Sequence, residues 1–164
     1  MPLSSTVSMA ALSLSVLAPL SALASERKVD NQYVDVSAYL TSEADIEAWY
    51  QLTRNLKQNF DDICGDTFCE GEYSNIESLR FRCSVHALTG RMGQCVWVFA
   101  ASNEEVDPAT GVVTVDARTW TCQAPLAPRT TMQKFLAALA GNAPLYATLP
   151  RTQTTIYDGL VTCL

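Results

Sequence analysis

Histidine is all but missing from this sequence: His86 is the single one among 164 residues. A histidine-built metal centre within one chain is therefore excluded, and any imidazole-based acid–base apparatus would have to be assembled around that one ring. Ser84 lies two positions away, on the same side of an extended segment. A serine nucleophile also needs an orienting third group and oxyanion donors, and the sequence displays neither. Strand alternation alone accounts for the coincidence.

Basic residues are scarce as well. There are 11 Lys and Arg against 17 Asp and Glu, for a formal net charge of −6. Nonspecific nucleic-acid binding needs a concentrated basic surface, so this chain is poorly suited to it. No glycine-rich phosphate cradle follows a strand of parallel character, which removes the usual support for nucleotide chemistry. The cysteine spacings do not form paired zinc-knuckle spacings. No apolar run is long and clean enough for a bilayer-spanning helix; Met9–Leu17 is short, and Ser and Pro interrupt its surroundings.

That same run, followed by Pro19 and the small residues of Ala22-Leu23-Ala24, predicts a signal peptide over residues 1–24. No Lys or Arg precedes Arg27, so the positive end of the signal rests on the amino terminus. Removal leaves residues 25–164 as a single domain with room for a real core, and no membrane span. Cys64, Cys69, Cys83, Cys95, Cys122 and Cys163 all lie beyond the cut. An even count behind an export signal predicts disulfides and an oxidising compartment, periplasmic or secreted. Cys64 and Cys69 are spaced for a local bridge. Cys83 and Cys95 would be offset across a tight reversal and need a bulged or longer turn to stand opposite one another. Cys122 is a candidate partner for Cys163.

The chain is organised around residues 79–122. LRFRCSVHAL places Leu79, Phe81, Cys83 and Val85 on one side of a strand, with Arg80, Arg82, Ser84 and His86 on the other. After a glycine-marked turn, CVWVFAA alternates Cys95, Trp97 and Phe99 with Val96, Val98 and Ala100. Both rows are apolar, which predicts an interior strand. Val113, Val115 and Ala117 then form an apolar row of a third strand, with Trp120 and Cys122 on its alternate row.

Helices flank this sheet. Ser42 followed by Asp45 resembles a capping box, and Ile46, Trp49, Leu52, Leu56, Phe60 and Ile63 recur at helical spacing over residues 43–62. Residues 130–139 and 155–163 carry shorter stripes with threonine caps, and residues 33–39 offer a short edge strand. The predicted fold is α+β: an antiparallel three- to four-stranded sheet covered by a long N-terminal helix and one or two C-terminal helices, stabilised by disulfides.

Between the long helix and the sheet, residues 61–77 hold six acids and no base. This stretch reads as a glycine-marked, disulfide-tied loop, with Gly65 and Gly71 at bends. Asp66, Glu70, Glu72 and Tyr73 are its candidate contacts for another protein with a basic surface. Asp61, Asp62, Asp66, Glu70 and Glu72 are alternatively oxygen ligands for Ca2+, although an EF-hand spacing is absent. A pair of carboxylates could also serve a hydrolase, as in glycoside hydrolysis. The leading expectation is an exported, noncatalytic binding protein, of the inhibitor or immunity type, with no cofactor. A calcium-binding structural module and a carboxylate-dependent hydrolase are the alternatives.

Overall fold

The Ser42 hydroxyl accepts a hydrogen bond from the Asp45 N–H at 3.1 Å and so starts the element on which the rest packs. In the computed structural model, which describes residues 32–164, that element is helix α2, Glu43–Thr67. The expected signal peptide lies outside the described residues. Before α2 come the short strand β1, Tyr33–Asp35, and a single helical turn α1, Val36–Tyr39. After it come β2, Glu77–His86, β3, Met92–Val106, and β4, Val113–Gln123. Helix α3, Met132–Ala138, a 3-10 turn at Pro144–Tyr146 and helix α4, Ile156–Val161, complete the chain.

The four strands form one antiparallel sheet in the order β1-β2-β3-β4. β3 is interior, as its two apolar rows imply. Cys95, Trp97, Phe99 and Ala101 are buried under the helices, whereas Val96, Val98 and Ala100 on the opposite face are half-buried. The helices thus cover a single face. Trp49, Leu52, Leu56 and Phe60 of α2 are buried against it, with ring centroids 6.0 Å apart for Trp49–Phe81 and 4.7 Å for Phe60–Phe99. Full burial of such a side chain contributes about 1.5–3 kcal/mol relative to exposure.

The C-terminal elements add Met132, Phe135, Leu139, Leu145, Leu149, Ile156 and Leu160 to the same core. Asn59, which the helical stripe places outside, is half-buried and holds this cover in place. Its Nδ2 donates to the Asn142 carbonyl at 3.0 Å, and Asn55 does the same to the Gly141 carbonyl at 2.7 Å. Thr155 and Asp158 form a complete capping box at the start of α4. Gly159 then brings that helix against the end of β4, where an added Cβ would stand 2.7 Å from the Gln123 carbonyl oxygen.

Three disulfides join Cys64 to Cys69, Cys83 to Cys95 and Cys122 to Cys163. Cys83 and Cys95 stand directly opposite because β3 carries an extra residue between their pair and the Val85–Met92 pair. The bulge supplies the adjustment that a tight reversal lacks. Cross-links of this kind fit an oxidising, exported environment. No helix among the described residues is long and apolar enough to cross a membrane.

Three sequence expectations need correction. Helix α2 runs through Gly65 to Thr67, so Asp61, Asp62 and Asp66 are helical and not part of a loop. Burial of Cys64 in the last turn, and the stacking of Phe68 on Phe60 just beyond it, outweigh the glycine penalty of about 1 kcal/mol. Leu79 is exposed and Ser78 buried, because β2 has its own register shift between Ser78 and Arg80. The Val113, Val115 and Ala117 row faces solvent, because the register sets it on the face of Val96, Val98 and Ala100, opposite the helices.

Candidate binding surface

Helix α2 ends in a corner made by the Cys64–Cys69 bridge. The Phe68 and Cys69 N–H groups both donate to the Cys64 carbonyl, at 3.1 Å and 2.6 Å, and Gly71 bends the chain back toward β2. Asp66, Glu70 and Glu72 are exposed on this corner. None of the three is paired with Lys or Arg among the described residues, whereas other acids nearby are engaged. Lys57 lies 3.4 Å from Asp61 and 3.6 Å from Glu77, and Gln58 donates to Asp62 at 2.8 Å.

Tyr73 fastens the corner to the sheet. Its hydroxyl donates to the Asp116 carboxylate at 2.6 Å, and its ring meets Trp120 edge-on with centroids 5.4 Å apart. The Arg118 guanidinium lies over both rings, 5.9 Å from the Tyr73 centroid and 5.1 Å from that of Trp120. The bond to Asp116 raises the Tyr73 pKa above its ordinary value, with loss of hydration and the Asp116 and Glu72 charges acting in the same direction. Asn75 adds a second clamp. Its side-chain amide donates to Ser102 Oγ at 3.0 Å and accepts from the Ser102 N–H at 2.9 Å.

The strands that receive these clamps continue beyond the core. Residues 104–119 are exposed throughout, so the ends of β3 and β4 form a two-stranded ribbon wet on both faces. Its turn is set by Asp107, whose Oδ1 accepts from the Ala109 and Thr110 N–H groups, and by Gly111 at φ 71°. Those backbone bonds hold the Asp107 pKa below the usual value. The ribbon carries Glu104, Glu105, Asp107 and Asp116, has no base from residue 92 to residue 117, and exposes Val106, Val113 and Val115.

Of the residues singled out from sequence, Asp66, Glu70, Glu72 and Tyr73 do share one corner. Tyr73 is turned onto the ribbon with its hydroxyl engaged, so the three carboxylates are its outward groups. Asp61 and Asp62 belong to the helix preceding it. Among the described residues, no group of three or more His, Cys, Asp or Glu side chains is gathered as a metal site. Asp116, Arg118 and Trp120 were not anticipated as part of this surface. Their i, i+2, i+4 spacing, which puts acid, base and aromatic on one strand face, was the available signal.

A separate cleft of about 270 Å³ lies between α2 and β2. Lys57, Arg80 and Arg82 line it, with Asp35 as the one carboxylate among its lining residues, so it does not hold the acid pair of a glycoside hydrolase. Asp35 is bound to Arg82 at 2.9 Å and caps α1 through Ser37. Ser84 and His86 are each occupied locally: Ser84 Oγ accepts from the Gln94 N–H, and His86 Nδ1 accepts from the Leu88 N–H.

No protein-family model matches the chain, and neither the curated proteins nor the solved structures yield a significant match.

Proposed function

We propose that this chain is an exported, noncatalytic binding protein that captures another protein through the acidic corner and the ribbon it is clamped to. The observation that carries this reading is the contrast among the acids. Asp66, Glu70 and Glu72 are exposed and have no basic partner among the described residues, on a corner fixed by a disulfide and by Tyr73, while Asp61 and Glu77 beside them are paired. A rigid scaffold presenting unspent carboxylates favours a partner with a basic patch, and loses little entropy on binding because the corner is already ordered. The three disulfides favour an oxidising compartment, periplasmic or secreted, and the role read for the chain there is that of an inhibitor or immunity-type factor.

The test is capture with the immobilised, oxidised protein from periplasmic and secreted fractions, followed by identification of the bound species and titration calorimetry. Reversing the three charges (Asp66→Lys, Glu70→Lys, Glu72→Lys) is expected to raise the dissociation constant of that partner by about tenfold or more, with the circular dichroism spectrum unchanged. Unchanged affinity would remove the corner as the binding surface.

A further inference from the structure

The two edges of the sheet are unequal. On one side β1, only Tyr33–Asp35, covers part of β2. On the other, β4 runs for 11 residues, and among the described residues no strand pairs with its outer edge. Such an edge is a template for another strand. The ladder shows which groups it offers. Asp107 N–H donates to the Val112 carbonyl and Ala124 N–H to the Cys95 carbonyl, so even-numbered residues of β4 bond toward β3. By alternation the odd ones direct their N–H and C=O groups outward, and because Gly159 of α4 lies against the Gln123 carbonyl, the open positions are Val113, Val115, Ala117, Thr119 and Thr121.

We propose that β4 pairs antiparallel with β4 of a second copy, about a two-fold axis at Ala117, joining two four-stranded sheets into one of eight strands. Ala117, central among the outward-bonding positions, faces itself across the axis as a hydrogen-bonded pair. The register then sets Asp116 opposite Arg118 of the second copy, and Arg118 opposite the second copy's Asp116. These are non-hydrogen-bonded pairs, in which side chains approach most closely. One interface therefore contains the same opposite-charge pair twice, as an isologous contact requires. Both groups have capacity left: Tyr73 uses Asp116 Oδ2, and Arg118 lies over aromatic rings with no carboxylate partner among the described residues. On the opposite face Val115 meets Thr119 of the second copy and Val113 meets its Thr121, which covers exposed valine side chains.

Sedimentation equilibrium on the oxidised protein tests this. A dimer is expected. Ala117→Pro removes an N–H that the monomer directs to solvent, so it should yield a monomer with a near-native unfolding midpoint and a dimer dissociation constant raised about a hundredfold or more. Asp116→Arg should weaken the dimer by about tenfold, and adding Arg118→Asp in the same chain should restore it, because the swap rebuilds both pairs. A protein that stays monomeric to about 1 mM, a dimer indifferent to Ala117→Pro, or a charge swap that fails to restore what Asp116→Arg loses each overturns the proposal. If the proline variant does not fold, the swap decides. Charge reversal at Asp66, Glu70 and Glu72 should leave the dimer intact, which separates this surface from the partner-binding corner.

Discussion

The indole N–H of Trp97 donates to the Ser78 hydroxyl at 2.9 Å, within a core where both side chains are buried. The bond explains why β2 changes register at Leu79. The shift turns an apolar residue out to solvent and brings in a hydroxyl that satisfies a buried tryptophan donor. Ser78→Ala should cost about 1–3 kcal/mol in urea denaturation, because it strands that donor. Leu79→Ser should change stability by about 0.5 kcal/mol or less. Comparable losses at the two positions would mean that β2 runs straight through without the shift.

Gly159 gives a test of opposite sign from helix propensity. In an exposed helix, alanine is better than glycine by about 1 kcal/mol. Here the added methyl would meet the Gln123 carbonyl oxygen, a backbone atom that cannot swing aside. Gly159→Ala should therefore destabilise by about 1–3 kcal/mol, read as a lowered thermal or urea midpoint. A stabilised variant would place α4 farther from β4.

The disulfides should rank by the loop each closes. Sequence separations are 41 for Cys122–Cys163, 12 for Cys83–Cys95 and 5 for Cys64–Cys69. The chain-entropy relation gives about 4, 3 and 2 kcal/mol in that order. Paired Cys→Ala variants measured by chemical denaturation should follow it. Loss of the 64–69 bridge should act mainly on the corner, with faster amide exchange at residues 66–74.

Acid should act on Asp35. Partial burial pushes its pKa up, but hydrogen bonds from the Ser37 side chain and N–H and the neighbouring Arg82 guanidinium outweigh this and hold it below the ordinary aspartate value of 3.8. A depressed carboxyl contributes stability that is present above pH 3.8 and lost as pH falls through the lower, folded-state pKa. Asp35→Asn keeps a capping oxygen and removes the charge. The variant should be less stable than the parent at neutral pH, and the gap should narrow as the medium is taken below the ordinary carboxylate range. A gap independent of pH would deny the charge any part.

Much of the architecture is legible in the sequence for identifiable reasons. Ser42 and Thr155 are caps whose partners lie three residues away, and the double apolar row at residues 95–100 singles out the central strand. What escaped depends on contacts distant along the chain. Gly65 reads as a bend until Phe68 is seen stacked on Phe60. Leu79 reads as core until the buried N–H of Trp97 claims Ser78 instead. Val113 and Val115 have strand propensity, but propensity does not say whether a helix lies above them. The candidate corner was half-visible: its three free carboxylates stand in sequence, while the clamp through Asp116, Arg118 and Trp120 comes from a strand some forty residues on.

The order of the cross-links has a further consequence. First cysteine bonds second, third bonds fourth and fifth bonds sixth. A polypeptide threaded amino end first into an oxidising space presents its thiols in that sequence, so each even-numbered arrival finds its mate as the sole unbridged thiol already through. Threading and native connectivity coincide, and a plain oxidant acting in step with translocation leaves no scrambled linkage for an isomerase to repair.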